Sequence, residues 1–318
     1  MEPRNPILAT ASPILQFMML LAIIFVSLLI TTLLGILIGI PFFGTGILDN
    51  LTSGIDYQDT TMIPLLKYMQ IVNQLGLFII PPLLFAFMMN INIPGYLKLD
   101  RKPINLSWLA GGLMVILALP FLHWLADINN AVQFPEFMSG LEAWMRESER
   151  KAEEMTELFI NVDTYPAFLV NLLMIAILPA IGEELLFRGV VLRFLKDWTG
   201  KVHLAVILSA FIFASLHFQF YGFLPRLLLG ILLGYMFVWS GSLWVPIIVH
   251  FINNAMAVLI IFIANRVGRT AELEEIGSTS NIYYIIGSAV IMILLTWIIY
   301  YAEKKRKYRS NDISLKQL

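Results

Sequence analysis

Residues 181–197, IGEELLFRGVVLRFLKD, place Glu183, Glu184 and Arg188 inside a segment that is otherwise apolar. A charged side chain at the centre of a bilayer costs several kcal/mol, about 2.5–3.5 kcal/mol on insertion scales. On a helix, Glu184 and Arg188 are four residues apart and can pair, while Glu183 points about 100° away from Glu184. The stretch therefore predicts a helix with one paired and one free carboxylate at membrane depth. The alternative is a helix end whose charges lie among lipid headgroups.

The composition of the chain is that of a membrane protein. Of its 318 residues, 58% are hydrophobic and only 14% are charged, whereas soluble domains average about 25% charged residues. We therefore predict an all-α fold, a polytopic membrane bundle of about eight transmembrane helices. The absence of cysteine excludes disulfides, thiolate nucleophiles and cysteine-ligated metals.

Eight apolar segments define the predicted spans: 13–40, 62–89, 104–125, 166–195, 202–220, 223–239, 243–265 and 281–301. They divide the chain into a three-span N-terminal region (1–125), an acidic amphipathic segment (126–165), a helical core (166–265), and a last span with a basic tail (266–318). Lys67 lies near the start of the second span and is expected to extend its amine to the interface. Pro81 and Pro82 predict a kink in the same span.

Basic residues predict the orientation of the chain in the membrane. They cluster in the loop 98–102, in the region 188–201 and in the tail after residue 303, whereas the segment 126–165 holds nine acidic and three basic residues. With eight spans, all three basic clusters lie on the side of the N-terminus, so both termini are predicted to be cytoplasmic. The first apolar stretch is too long for a cleavable signal. We expect an integral protein of a bacterial inner membrane.

Two histidines within apolar spans have polar or aromatic neighbours one helical turn away. Phe213 precedes His217 by four residues, and Asn254 follows His250 by four. A single intramembrane histidine is usually a packing residue, but polar groups in hydrocarbon seek one another. We therefore expect one pocket formed by the fourth, fifth and seventh spans. Upright helices would separate Glu183 and His217 in depth by about 10–15 Å, which tilt or a deep cavity must close.

Such a pocket is suited to hydrolysis by either of two routes. A carboxylate and an imidazole can together remove a proton from water. Alternatively, one glutamate and two histidines can hold a Zn²⁺ ion that acidifies the water. The protease signatures HExxH, GxGD and GxSxG are absent from the sequence. Ser215 and His217 point to different helix faces, so they make a poor dyad.

In order and spacing, three motifs resemble those of the CAAX prenyl protease and bacteriocin-processing (CPBP, or Abi) family. They are Glu183-Glu184-xxx-Arg188, Phe213-xxx-His217 and His250-xxx-Asn254, and the resemblance covers about residues 166–260. It implies an eight-helix bundle whose core, 166–265, is a membrane endopeptidase acting on membrane-associated or prenylated peptides, with no nucleic-acid partner.

The resemblance also implies roles for the matched residues. Glu183 and His217 would activate the water, His250 and Asn254 would bind the oxyanion, and Glu184 and Arg188 would orient the site. If the enzyme is a zinc protease, the metal ligands would be Glu183, His217 and His250; otherwise no cofactor is expected. Two alternatives remain, a proton-coupled transporter and a non-catalytic immunity or scaffold protein.

Overall fold

A computed structural model describes residues 6–45, 60–268 and 276–315, with side chains up to residue 308. The described residues are all-α, as predicted, and contain no strand. We number the helices in chain order as α1 (Pro13–Phe43), α2 (Ile63–Met89), α3 (Ile93–Leu97), α4 (Asn105–Leu117), α5 (Leu119–Asn130), α6 (Ser139–Ile160), α7 (Tyr165–Thr199), α8 (Val202–Ser215), α9 (Phe223–Ser240), α10 (Trp244–Val267) and α11 (Ile282–Leu315). Single 3₁₀ turns occupy Thr60–Met62, Glu136–Met138 and Phe220–Gly222. Most of the predicted loop 44–61, the middle of the predicted loop 266–280 and the end of the basic tail lie outside the described residues.

The number of full-length spans is slightly lower than the eight predicted. Six described helices are long and apolar enough to cross a membrane, and a seventh crossing is formed by α4 and α5 if that pair, bent by 53°, is one span. The predicted fifth span, 202–220, is wrong in length because helix α8 ends at Ser215. Its 14 residues extend only about 21 Å, less than the apolar thickness of about 30 Å.

Basic side chains gather at one end of the bundle, which we call the basic end. A surface pocket there is lined by Lys98, Arg193 and Lys196 together with the last turn of α9. From α11, Arg306 donates to the carbonyl of Lys102 at 3.2 Å. The N-terminal segment joins the same end, since the amide of Leu8 donates to the carbonyl of Met88 at 3.0 Å.

The opposite end, which we call the acidic end, carries the amphipathic helix α6. This helix corresponds to the predicted surface segment, and its last residues, Phe159 and Ile160, are buried. The carboxylate of Glu149 accepts a hydrogen bond of 3.0 Å from the amide of Tyr221, just before α9. Helix α6 is therefore packed against the bundle.

Lys67 corrects one prediction, because its amine is buried and does not reach the interface. The side chain is 8% exposed, and Nζ donates to the carbonyl of Phe159 at 2.9 Å and to Oδ1 of Asn171 at 2.7 Å. The amide of Asn171 donates to the same Phe159 carbonyl at 2.7 Å. Lys67 thus ties the end of α6 to α2 and α7, without an acidic partner among the described residues.

Prolines explain two departures from regular α-helix at the centre of the bundle. The π-helical turn Leu75–Ile79 lies just before Pro81 and Pro82, and the turn Leu172–Ile177 lies just before Pro179. Proline has no N–H, so the carbonyl four residues earlier loses its partner in the helix. A wider turn and nearby side chains can satisfy such carbonyls within a membrane. A third π-helical turn, Leu185–Val191, follows Glu184.

Candidate active site

The register between α7 and α8 sets the depth of the site. The two helices join through Gly200, whose φ of 68° is readily adopted only by glycine. Ser209 Oγ then donates to the carbonyl of Phe187 at 3.2 Å. In an antiparallel pair with that register, Glu183 lies opposite Phe213, and His217 lies only one turn beyond, about 6 Å along the axis. The depth difference predicted from upright spans was therefore too large.

Glu184 and Arg188 form the ion pair that their spacing predicts. Arg188 Nη1 donates to Glu184 Oε1 at 2.7 Å, and the two side chains are 1% and 0% exposed. Arg188 Nη2 also donates to the carbonyl of Gly230 at 2.9 Å, and the guanidinium lies 4.8 Å from the centre of the Phe213 ring. A Cβ at Gly230 would lie 3.0 Å from Cβ of Ala210, so this glycine lets α9 pack closely against α8. The alternative of headgroup charges is wrong for this pair.

His250 connects the two adjacent glutamates. Its Nδ1 lies 2.9 Å from Glu184 Oε1, and its Nε2 lies 3.8 Å from Glu183 Oε2. A carboxylate oxygen that receives a hydrogen bond from arginine acts as an acceptor, so Nδ1 of His250 donates to it. Nε2 then faces Glu183. A water about 2.8 Å from both Nε2 and Oε2 fits this separation.

His217 and Asn254 are held by backbone carbonyls. His217 Nδ1 donates to the carbonyl of Phe213 at 2.8 Å, so Nε2 is the free nitrogen of the neutral ring. Asn254 Nδ2 donates at 3.2 Å to the carbonyl of Ile175, the residue four positions before Pro179. Asn253 donates at 3.0 Å to Oδ1 of Asn254. One of the two amide hydrogens of Asn254 is therefore used within the protein.

Four of the six predicted site residues line one cavity of about 410 Å³: Glu183, His217, His250 and Asn254. Glu184 and Arg188 lie behind the wall, where they hold His250. The cavity has more walls than the three predicted, since α2, α6 and α9 also contribute. From these come Gln70, Gln74, Ala152, Met155, Thr156, Phe159, Arg226 and Leu229. His250 is the imidazole that lies beside Glu183, and the predicted sharing of a water between Glu183 and His217, which line the same cavity, stays a prediction.

Arg226 and the two glutamines were missed by the analysis of the sequence. Gln74 Nε2 donates at 3.0 Å to the carbonyl of Met174, which is also in the π-helical turn before Pro179. Arg226 is a charged residue near the start of an apolar span, so the argument that singled out Arg188 applies to it as well. Its position in the chain was sufficient to make it a candidate.

A zinc ion was one predicted alternative for this site. Within the described ranges, no group of three His, Asp or Glu side chains is arranged to hold a metal. The Nδ1 atoms of His250 and His217 bond to Glu184 and to the carbonyl of Phe213, which leaves both Nε2 atoms available. Metal-ligating histidines are commonly held in this way, so the zinc alternative stays a prediction, and the mechanism below takes no step through a metal.

Comparison with known families agrees with the motifs of this site. Residues 165–256 match the family model described as Rce1-like, type II CAAX prenyl endopeptidase Rce1-like. The predicted family is confirmed for this segment. The Rce1-like segment includes all six predicted site residues and Arg226, but neither α2 nor α6.

Two curated bacterial proteins are similar to parts of the chain. The uncharacterized protein YpbD of Bacillus subtilis is 34% identical over 90 residues, which cover 27% of this chain and 43% of that protein. An uncharacterized 24.3 kDa protein of Escherichia coli is 26% identical over 165 residues, covering 50% of this chain and 65% of that protein. The chain thus spans less than two thirds of the length of either relative. No solved structure is significantly similar to the chain.

Proposed function

We propose that the protein is an intramembrane endopeptidase of the CAAX type that hydrolyses a peptide bond with a water activated by Glu183. The observation that carries this proposal is the placement of Glu183 and the Nε2 atom of His250 3.8 Å apart at a cavity wall. A carboxylate and an imidazole at that separation can share one water. The match of residues 165–256 to a CAAX endopeptidase family supports the same reaction.

The reaction follows from the hydrogen-bond directions. Water donates one hydrogen to Glu183 and the other to Nε2 of His250, while its oxygen attacks the peptide carbonyl carbon. Glu183 takes the proton as the C–O bond forms, then gives it to the leaving nitrogen as the C–N bond breaks. The Glu184–Arg188 pair fixes the tautomer and orientation of His250, as a carboxylate does in other hydrolases. The second amide hydrogen of Asn254 is available to the oxyanion.

Cleavage assays with purified full-length protein test the proposal. The substrates are a prenylated CAAX peptide and an unprenylated apolar peptide, assayed with wild type, Glu183→Gln and Arg266→Gln. Glutamine keeps the shape of Glu183 and cannot accept the proton, so Glu183→Gln should abolish cleavage without changing the melting temperature. Arg266 does not line the cavity, so its variant should cleave at the wild-type rate. Cleavage by Glu183→Gln at the wild-type rate would exclude the mechanism. No cleavage of either peptide by wild type would favour the non-catalytic alternative.

The proposal extends to the orientation of the protein in a bacterial inner membrane. Both described ends of the chain lie at the basic end, which the positive-inside rule places in the cytoplasm. The cavity lies toward the acidic end and is bordered there by α6, so substrates would enter from the non-cytoplasmic side.

Single-cysteine labelling tests this orientation, because the chain has no cysteine of its own. In intact cells, a membrane-impermeant maleimide should label Thr156→Cys, at the cavity border on α6. Lys304→Cys, at the basic end, should be labelled only after permeabilisation. The reverse pattern would contradict the orientation and leave the chemistry of the site untouched.

A further inference from the structure

Arg226 is a cation in the cavity wall that has no acidic partner. Its Nη1 donates to the carbonyl of Gln219 at 3.1 Å, and its Nη2 donates to the side-chain oxygen of Gln219 at 2.5 Å. Among the described residues, no carboxylate lies within ion-pair distance of the guanidinium. Two of its five N–H groups make these bonds, and the others have no protein acceptor in the described structure.

Arg188 and Lys67 are buried cations of the bundle that do not line this cavity. Arg188 pairs with Glu184. Lys67 has two oxygen acceptors and does not line the cavity. Arg226 is half-buried and, among the described residues, is the cation that lines the cavity. Glu149 and Glu183 are near enough to act on its charge, but neither pairs with the guanidinium. Charges in apolar spans without a contacting counter-ion commonly mark a substrate or ion path.

Gly222 leaves the space that the guanidinium occupies. A Cβ at this position would lie 2.3 Å from Nη1 and 2.9 Å from Cζ of Arg226. The backbone φ of Gly222 is −99°, which any residue can adopt. A methyl group here would displace the guanidinium, so Gly222 together with Gln219 sets where the guanidinium lies.

We propose that Arg226 binds a carboxylate of the peptide substrate, which makes it a specificity-determining residue of this cavity. The inference rests on the proposed endopeptidase function. A guanidinium fork binds a carboxylate with two parallel hydrogen bonds. Apart from Glu183, which is assigned to the water, the other polar groups lining the cavity are amides, imidazoles and the hydroxyl of Thr156. The carboxylate comes either from the C-terminus of the substrate or from an acidic side chain near the cleaved bond.

Four versions of one fluorescent prenylated peptide distinguish these sources. The first ends in a free carboxylate and the second in a carboxamide. The third and fourth end in the carboxamide and carry glutamate or glutamine two residues before the end. A charge-assisted fork predicts that wild type prefers the charged member of one pair by about 10- to 100-fold in KM, with kcat little changed. A preference in the first pair identifies the terminal carboxylate, and one in the second identifies the side chain.

Three variants test whether Arg226 causes the preference for the charged peptide. Arg226→Gln should remove it, and Gly222→Ala should weaken it by displacing the guanidinium without changing the charge. Arg266→Gln should keep it. Equal KM values for both pairs in wild type would overturn the proposal. So would an equal loss of kcat on all four peptides in Arg226→Gln, since that pattern belongs to an oxyanion donor.

Binding measurements with the same peptides test the carboxylate site independently of cleavage. Fluorescence anisotropy with the Glu183→Gln protein measures affinity without cleavage, and it should show the same preference for the charged peptide. Absence of cleavage in wild type together with this preference would reject the endopeptidase and retain the carboxylate site. Cleavage in wild type without any preference for the charged peptide would retain the endopeptidase and reject the carboxylate site.

Discussion

Helix α7 carries two ion pairs of the same spacing whose environments differ completely. Glu184 and Arg188 are 2.7 Å apart and 0% and 1% exposed. Two turns later, Arg193 and Asp197 are 4.0 Å apart and 32% and 67% exposed. Spacing alone does not distinguish these pairs. Depth does, because the first lies in the middle of a 35-residue helix and the second near its basic end.

Removal of one partner should destabilise the protein far more for the buried pair than for the exposed pair. Arg188→Ala leaves the carboxylate of Glu184 buried with only His250 as a partner, and breaking a buried pair costs about 3–5 kcal/mol. We expect a large fall in the melting temperature in detergent, or no folded protein, measured by tryptophan fluorescence. A stability equal to that of wild type would mean that Glu184 reaches water.

Asn254 tests whether a buried polar group serves chemistry as well as structure. Asn254→Ala should lower kcat by about 10²–10³-fold if the residue supplies one oxyanion donor. Asn265→Ala is the matched control, because Asn265 also donates to a backbone carbonyl, that of Val162 at 3.3 Å, but does not line the cavity. Similar losses of kcat in both variants would mean that Asn254 has a structural role and is not an oxyanion donor.

Lys67 extends the comparison to a buried cation without a carboxylate. Lys67→Met keeps an apolar side chain of similar length and leaves Oδ1 of Asn171 without its donor, which should cost about 1–3 kcal/mol. Lys151→Met changes an exposed amine on α6 and should have little effect. If urea unfolding gives equal stabilities for the two variants, the amine of Lys67 is dispensable.

Asp197 should give the smallest effect of the set. Asp197→Asn removes the exposed partner of Arg193, and such surface pairs contribute about 0–1 kcal/mol. Arg193 keeps its hydrogen bond to the carbonyl of Tyr96 and its position 4.1 Å from the Tyr96 ring. The melting temperature should match that of wild type within error. A loss as large as that of Arg188→Ala would remove the distinction between the two pairs.

The sequence predicted the contacts that depend on neighbours along one helix. Glu184 and Arg188 pair because four residues make one turn, and the all-α architecture follows from composition. The contact between His250 and Glu184 joins residues 66 positions apart, and no periodicity within a helix specifies it. The depth of His217 was misjudged because span boundaries were used in place of the hairpin register. The π-helical turns could have been anticipated from the prolines that follow them.

The walls of the cavity come from two parts of the chain, one inside the Rce1-like segment and one outside it. The charged and imidazole groups belong to the Rce1-like segment, residues 165–256. Gln70 and Gln74 on α2, and Met155 and Phe159 on α6, come from outside it. Proteins that share only this segment can therefore share a reaction and differ in the shape of the chamber around it. Such a division lets selection change which peptides are accepted by altering α2 and α6, while the hydrolytic groups stay as they are.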